Sequence, residues 1–494
     1  MKINTQEYRD KLMGCWMGKN IGAALGQPFE WIRKINDVTF YTQEDIPSTS
    51  IDLDIQLLWL RALEDNGVHI TTPVLSEYFL SYVTAYASSK INLQAGLMPP
   101  LSSQTNPYRH STGAYARTEI WATTAPGCPQ IAATKTYHDA IIDHGAGEGL
   151  YAAIFIAVMQ AAAFIEDITF ELIKIGLSYI PENCGVAHAV SCVLDSYQDN
   201  KTWLEARDQV LADHRGHYAT WEGAGVSQRD WDYKLADGKK GYDAPCNIGM
   251  IIIGWLYGEG DFARSICTTV NCGEDTDSNA ATLGALMGII NGYKQIPEDW
   301  AMPISHRLST KLIDIIDVKH IPRTIDELSI RVERIARIML LTYRSDVCLS
   351  ANATAVKPSD LYKLTDHDTG KKILRNMYGP VYENGLITCA LDYKSDGYIN
   401  PGGKAKILLR IGCKLKHNLL INVKWYLPEG FSIKPVERGL IRVPGGGKET
   451  TPYEFEIESG KSVEIINRFV IEITSPGRHT AALVPVVLLD GGLM

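Results

Sequence analysis

Two short acidic segments of this chain each run directly into a strongly apolar, helix-like stretch. They are "IDLDIQLLWL" at 51–60 and "EDTDSNAATLGALMG" at 274–288. Several oxygen ligands held beside a buried helix repel one another unless a cation lies between them. We therefore interpret the acidic and hydroxyl side chains of the two segments as metal ligands: Asp52, Asp54, Asp275, Asp277 and Ser278.

The ligand types indicate which ion such a site would take. Carboxylate and hydroxyl oxygens without His or Cys favour Mg²⁺, with Mn²⁺ as the alternative, over Zn²⁺. The competing interpretation is helix capping, because unpaired backbone N–H groups and the helix dipole also favour acidic residues at a helix start. Capping needs only one such side chain at each start, so the paired acids favour one or two bound ions.

The elements that must position these residues are mostly helical. Apolar residues recur every three or four positions through much of 7–345, as in an amphipathic or buried helix. Beyond about 350, short apolar runs such as "KAKILLRIG" alternate with turns such as "NPGG" and "PGGG", which is typical of strands. The sequence therefore predicts a multi-domain chain, with an all-α domain at 1–350 followed by a small all-β, sandwich-like domain at 370–494.

One glycine pattern predicts close helix packing. Gly14, Gly18 and Gly22 recur every four residues and line one face of a helix, so that another backbone can approach closely. Two other stretches, 89–112 and 215–245, lack any periodicity, and such long loops are usually functional or mobile. We expect them either to rim the functional site or to pack on the surface through their aromatic side chains.

Composition limits the classes of partner. The net charge of -9 comes without a basic tract, which argues against nucleic-acid binding and favours a small-molecule substrate. No signal sequence is visible, and the longest apolar run, at 149–164, is shorter than the roughly 20 residues that span a bilayer. Ten cysteines without a CxxC pair fit reduced thiols. We expect a cytoplasmic protein without membrane association. The sequence leaves open whether the protein forms a homo-oligomer.

The motifs together resemble the ADP-ribosylglycohydrolase (DraG-like) family, over roughly residues 8–300. The resemblance rests on "GCWMGKNIGAALGQPFE" at 14–30, "DLDIQLLWLRALED" at 52–65, "GAYARTEIW" at 113–121, "GEGLYAAIFIAVMQAAAF" at 147–164 and "GDFARSICTTVNCGEDTDSNAATLGALMG" at 260–288. It implies an all-α domain that binds two Mg²⁺ ions between a Thr-Asp-Asp cluster and an Asp-x-Asp-Thr/Ser cluster, and that hydrolyses glycosidic bonds to ADP-ribose. A subgroup of longer members with an added C-terminal β-domain is the most similar.

The chain departs from the family pattern at two places. In one frame the Thr-Asp-Asp cluster falls on Asp52, Leu53 and Asp54, and in a second frame it falls on Ser50, Ile51 and Asp52. One carboxylate is missing in either frame. Ala23 also stands where the family usually has an aspartate, so a polar group that would support the metal site is absent.

The resemblance also suggests residues that act on the substrate. Glu30 matches a glutamate that gates the site or serves in acid/base catalysis, and we predict catalytic roles for Glu30 and Asp54. The alternative is that Glu30 is an ordinary loop residue. The predicted substrate-binding residues are Glu119, His144, Glu148 and Asn247. Their alternatives are structural: a surface ion pair between Glu119 and Arg117, a satisfied His144 and Glu148, and a helix cap at Asn247.

The expected activity is Mg²⁺-dependent hydrolysis of an N- or O-glycosidic bond to ribose, on a small-molecule or ADP-ribosylated substrate. A nucleoside or another small glycoside would suit the same site, because a metal ion can grip any furanose with cis hydroxyls. The alternative from a different class is a non-catalytic metal- or ligand-binding relative, which Leu53 and Ala23 favour.

Overall fold

The computed structural model describes most of the chain. The described residues are 1–30, 34–43, 51–103, 106, 108–214, 242–311, 313, 318, 320–343, 345–366, 368–375, 379–394, 397–435, 438–447, 449–450, 452–479 and 481–493, and for 51, 52, 438, 439 and 493 the description covers the backbone only. Asp52 therefore has a described backbone only. Trp221, Trp231 and Tyr233 of the expected 215–245 loop lie outside the described residues.

The chain divides into two compact units. The first comprises Met1–Gln94 and Ser102–Ile373, and the second comprises Ala95–Leu101 and Leu374–Met494. The first unit is helical and the second is built of β-strands. A helical domain followed by a β-domain is the fold class that the sequence predicts, and the structure confirms it.

The helical unit contains these described α-helices, numbered in chain order: α1 Thr5–Gly26, α2 Ile51–Asn66, α3 Thr72–Tyr82, α4 Ala87–Gln94, α5 Glu119–Thr123, α6 Pro129–His144, α7 Glu148–Ala162, α8 Thr169–Ser178, α9 Gly185–Gln198, α10 Trp203–His214, α11 Ala244–Tyr257, α12 Phe262–Asn271, α13 Thr276–Asn291, α14 Glu298–Ala301, α15 Ile325–Thr342, α16 Pro358–Tyr362 and α17 Thr369–Leu374. Short 3₁₀ turns include Gln27–Phe29 and Thr112–Arg117. A two-stranded parallel ribbon pairs β1 Lys2–Asn4 with β2 Cys348–Ser350.

Helix α7 lies in the centre of the helical unit. All of its residues except Tyr151 are buried, because its sequence is apolar on every side, as in a core helix rather than an amphipathic one. None of the helices within the described residues combines the length and apolarity needed to cross a bilayer. The apolar run at 149–164 is thus a buried core helix, as predicted.

The β unit consists of two five-stranded sheets with the orders β3-β4-β6-β10-β8 and β5-β12-β11-β7-β9. The strands are β3 Val381–Asn384, β4 Ile387–Tyr393, β5 Tyr398–Ile399, β6 Lys404–Cys413, β7 Leu419–Tyr426, β8 Ser432–Lys434, β9 Arg438–Val443, β10 Tyr453–Glu458, β11 Ile466–Thr474 and β12 Ala481–Asp490. Burial alternates strictly along β7, as in a strand with one face on a core. Pairing is antiparallel except between β12 and β5.

The stretch at 89–112 differs from the structureless loop that the sequence suggests. Its first residues belong to α4, and a 3₁₀ turn begins at Leu101. Leu97 and Leu101 are buried in the core of the β unit. These apolar side chains are therefore used for packing within the second unit.

Candidate functional site

The site begins with the packing of α1 against α13. Four positions of α1, spaced four residues apart, lie so close to α13 that an added Cβ atom would meet its backbone at 2.0–2.3 Å. The contacts pair Gly14 with Gly288, Gly18 with Gly284, Gly22 with Ala280 and Gly26 with Thr276. The glycine spacing thus produces the close approach that the sequence predicts, and α13 is the partner helix.

This packing brings the end of α1 to the start of α13. The Thr276 hydroxyl donates to the carbonyl oxygen of Gly26 at 2.8 Å, and the chain then continues through a short 3₁₀ turn to Glu30. Carboxylate oxygens of Glu30, Asp275 and Asp277 all lie within 4.8 Å of one another. Asp275 is buried, and the other two carboxylates are half-buried. The three residues form what we call the carboxylate triad.

Asp275 occupies the N-cap position of α13 but does not cap it. In the described residues at this helix start its side chain makes no capping hydrogen bond. Aspartates that begin neighbouring helices behave differently: Asp243 accepts from the backbone N–H of Cys246, and Asp261 accepts from that of Arg264. Capping therefore does not explain Asp275, whose carboxylate lies with Glu30 and Asp277 instead.

The turn before Asp275 has an uncommon backbone. Gly273 and Glu274 have φ angles of 78° and 71°, and a left-handed conformation is unfavourable for a residue such as glutamate. The side chain of Asn247, which is fully buried, accepts the backbone N–H of Asp275 at 3.0 Å. The predicted substrate-binding residue Asn247 thus holds the backbone of a triad residue. Strain of this kind persists where the surroundings fix it.

Asp54, the acidic residue of the first segment whose side chain is described, is not one of the triad residues. Asp54, only 1% exposed, accepts a hydrogen bond from the backbone N–H of Lys311. The metal-ligand grouping found among the described side chains does not include Asp54, and the side chain of Asp52 lies outside them. Leu53, which stands at a carboxylate position of the family pattern in one of the two frames, is buried in the core. Ser278, in the first turn of α13, is buried next to Asp277.

Glu119 lies in a buried polar cluster. It pairs with the fully buried Lys19, with Nζ 3.1 Å from Oε2, and its oxygens also accept from Gln56 at 2.7 Å and Gln160 at 3.2 Å. Arg117 pairs with Asp139 and Asp143 instead. The expected alternative of a surface ion pair between Glu119 and Arg117 is therefore wrong, because both side chains are buried and have other partners.

His144 is wholly buried at the end of α6. Its Nε2 lies 3.1 Å from the Ser111 hydroxyl, and its Nδ1 lies 2.9 Å from Oδ1 of Asp143. Burial alone would raise the pKa of Asp143, but the charges of Arg117 and His144 lower that pKa well below its usual range. His144 thus has polar neighbours on both ring nitrogens.

Glu148 caps the N-terminus of α9. Its two oxygens accept the backbone N–H groups of Gly185 and Val186, each at 3.0 Å. Burial raises the pKa of Glu148, and these two hydrogen bonds partly offset the rise. The structure therefore gives Glu148 the role of a cap for α9, and the predicted contact with substrate stays a prediction.

Sequence reasoning missed two residues that contact predicted site residues outside the triad, Lys311 and Lys19. Lys311 contacts Asp54 through its backbone, so no side-chain motif could have revealed it. Lys19 follows Gly18, but the glycine spacing describes one face of the helix only and does not show that a residue beside this face is buried.

Comparison with known proteins places the chain in a family. The ADP-ribosylglycohydrolase family model matches residues 4–332. A solved structure described as an ADP-ribosylglycohydrolase-related protein complex is 16% identical, with a TM-score of 0.39, and the match covers 68% of this chain and 99% of that chain.

Two smaller structures match shorter parts. A FixG-related protein from Vibrio parahaemolyticus is 10% identical with a TM-score of 0.18, covering 22% of this chain and 98% of its own. WR4, a C. elegans MSP family member, is 15% identical with a TM-score of 0.15, and the match covers 20% of this chain and 97% of that chain. A comparison with curated proteins gives no match. Because the family model matches well over half of its residues, the chain belongs to the ADP-ribosylglycohydrolase family.

Proposed function

We propose that the chain is a Mg²⁺-dependent hydrolase of N- or O-glycosidic bonds to ribose. Membership of the ADP-ribosylglycohydrolase family supports a glycohydrolase-type activity. The observation that carries the proposal is the carboxylate triad, in which Glu30, Asp275 and Asp277 converge from the end of one helix and the start of another. The substrate class is a small molecule or a protein that carries ADP-ribose.

The triad fits a hard divalent cation by its geometry and its ligand type. Ligand oxygens lie about 2.1 Å from Mg²⁺, so oxygens on opposite sides of the ion are about 4.2 Å apart. Neighbouring oxygens of such an octahedral ion are about 3.0 Å apart, so the triad oxygens, which lie within 4.8 Å of one another, would move closer together around the ion. Three carboxylates so close together repel one another, and a cation between them would reduce this repulsion. Mn²⁺ has similar ligand preferences and is the alternative ion.

Each residue of the site has a chemical task in this proposal. When bound, the cation would supply a grip on the vicinal hydroxyls of ribose and would lower the pKa of a bound water. Asp275 and Asp277 would hold the ion together with Ser278, and Asp52 and Asp54 at the start of α2 are the further ligands that the sequence predicts. Glu30 would place one carboxylate oxygen near the ion and accept a proton from the attacking water on the other. The oxygen of this water forms the new bond to ribose C1, and the leaving atom departs with the electrons of the broken C1 bond and takes up a proton from solvent.

The test compares two aspartates that start neighbouring helices. The purified chain is assayed with Mg²⁺ and with EDTA, and release of ADP-ribose from ADP-ribosylated protein is measured. Asp275→Asn should lower kcat/KM by about 100-fold or more, because loss of a ligand costs at least as much as loss of its supporting group. Asp261→Asn is the matched control, because Asp261 only caps its helix.

The outcome also separates the competing functions. Release of free ribose from nucleosides, with no activity on ADP-ribosylated protein, would move the proposal to nucleoside hydrolysis. Mg²⁺ binding without turnover of either substrate would indicate a non-catalytic relative. Equal rates for wild type and Asp275→Asn on the true substrate would contradict the assigned site.

A further inference from the structure

A buried chain of side-chain hydrogen bonds leads from Tyr115 to the backbone of Asp275. The Tyr115 hydroxyl donates to Oδ1 of Asn279 at 2.6 Å. The Asn279 amide then donates through Nδ2 to Oδ1 of Asn247 at 2.7 Å. The same Asn247 oxygen accepts the backbone N–H of Asp275 at 3.0 Å. We call Tyr115, Asn279 and Asn247 the amide relay.

The orientation of the Asn247 amide, and with it the direction of the hydrogen bonds in the relay, is fixed by a bond to the backbone. Asn247 Nδ2 donates to the backbone carbonyl of Asp243 at 2.8 Å, which fixes the orientation of this amide and leaves Oδ1 as its acceptor. All three relay residues have side chains with no solvent exposure. Hydrogen bonds in such a low-dielectric setting are strong and polarise one another, so the relay is a rigid support.

The relay binds the backbone N–H of Asp275, and the backbone and side chain around this N–H are unusual for a helix start. The Asp275 N–H follows the left-handed residues Gly273 and Glu274, and the Asp275 side chain does not cap α13. The relay therefore fixes the backbone at the residue whose carboxylate joins the carboxylate triad. Asn279 also lies one helical turn after Asp275, and its backbone N–H donates to the Asp275 carbonyl at 2.9 Å. Both backbone polar groups of Asp275 are thus bound.

We propose that the amide relay is a positioning unit that sets the affinity of the carboxylate triad for its divalent cation. The inference rests on the metal site of the proposed function. Its residues are not members of the triad, and in this proposal they act by holding Asp275 in the conformation that places its carboxylate with those of Glu30 and Asp277.

The test removes one oxygen atom at the far end of the relay. Mn²⁺ binding to the full chain is measured by calorimetry, and the spectrum of bound Mn²⁺ is recorded by electron paramagnetic resonance. Tyr115→Phe should raise the Kd for Mn²⁺ by about 10-fold, as loss of groups that support ligands does in other sites. Asn247→Ala removes the link to Asp275 itself and should raise the Kd by up to about 100-fold.

Tyr8→Phe is the matched control. Tyr8 is also fully buried, and its hydroxyl donates to the Thr123 carbonyl at 2.9 Å, outside the relay. The two Tyr→Phe variants should lose similar thermal stability, while only Tyr115→Phe weakens Mn²⁺ binding and alters the spectrum.

The possible results separate the two proposals. If wild type binds Mn²⁺ and Tyr115→Phe binds it equally well, the relay inference is wrong while the metal site stands. If Tyr8→Phe weakens binding as much as Tyr115→Phe, the effect is general destabilisation and the inference is again wrong. If wild type binds no divalent cation, both the metal site and the relay role are overturned.

Discussion

Gly22 of α1 and Ala280 of α13 are in direct backbone contact: a Cβ atom at position 22 would lie 2.0 Å from the Ala280 carbonyl oxygen. No side-chain adjustment can relieve such an overlap, because the neighbouring atoms are backbone. The contact lies along the same helix pair that brings Glu30 to Asp275 and Asp277. We therefore expect stability and the proposed metal binding to be coupled through this interface.

Substitution of Gly22 by alanine should separate the two helices. We expect a loss of about 3 kcal/mol or more in the free energy of unfolding, the upper range for overpacked cores, and a weaker affinity for Mn²⁺. Urea unfolding and calorimetry measure the two effects. Gly67→Ala is the control, because Gly67 has a φ of 77° and no atom within 4 Å of an added Cβ. It should lose stability through its backbone but keep the wild-type Kd, and a normal Kd in Gly22→Ala would refute the coupling.

Divalent cations should stabilise the folded chain. At a free Mg²⁺ concentration 100 times the Kd, the free energy of unfolding should rise by about 2.7 kcal/mol, and Asp277→Asn should abolish most of the rise. In EDTA the same variant should be more stable than wild type by up to about 1 kcal/mol, because it relieves repulsion within the triad. Thermal unfolding with and without the ion gives both numbers. A variant less stable than wild type in EDTA would argue that Asp277 is structural.

The buried pair of Lys19 and Glu119 should be costly to break. Lys19→Met leaves the Glu119 charge in the core without its cation, and we expect a loss of about 3–5 kcal/mol. The control is Lys174→Met, which removes an exposed pair with Glu171 that contributes well under about 1 kcal/mol. Guanidinium unfolding compares the two variants. Similar losses of unfolding free energy in both variants would mean that the buried Lys19 pair contributes no more to stability than an exposed pair.

Stability should fall in mild acid because of His110. Burial, followed by the charges of Arg109 and His144, lowers the pKa of His110 to about 4, and its Nδ1 accepts the backbone N–H of Glu148. The unfolded chain takes up this proton near pH 6.5 and the folded chain only near pH 4. The contribution of neutral His110 is thus complete above pH 6.5 and is lost as the pH falls toward 4, with a slope of up to about 1.4 kcal/mol per pH unit.

His110→Asn tests this assignment, since asparagine can accept the same N–H but does not titrate. Urea unfolding at several values between pH 4 and 7 should show a flatter dependence for the variant. Parallel profiles for wild type and variant would assign the acid sensitivity to other groups.

The sequence predicted parts of the site that depend on local pattern. The four-residue glycine spacing requires a close helix contact, and carboxylates at a buried helix start indicate a shared ligand. It could not identify α13 as the partner of α1, because periodicity describes one helix face and not what covers it. The partner of Glu119 was missed for the same reason: Arg117 is near in sequence, but α1 brings Lys19 to it in space.

Local sequence pattern also fails to predict the partner of a side chain when that partner is a backbone group. Asp54 accepts from the N–H of Lys311, and any residue except proline could supply that group. The two-domain architecture was readable because helical and strand periodicities differ. The residues of 95–101 were not assignable to the second unit, because seven residues carry too little pattern to show which core they join.

The membership of 95–101 in the β unit means that this unit is not a simple C-terminal extension. Leu97 and Leu101 belong to the same core as the strands of 381–490. A protein shortened after residue 373 would leave these leucines without their apolar surroundings, and an isolated 374–494 fragment would lack two of its core side chains. During synthesis an early stretch of the chain must wait for the last strands before its packing is complete. Attempts to express either unit alone should therefore move or replace this segment as well.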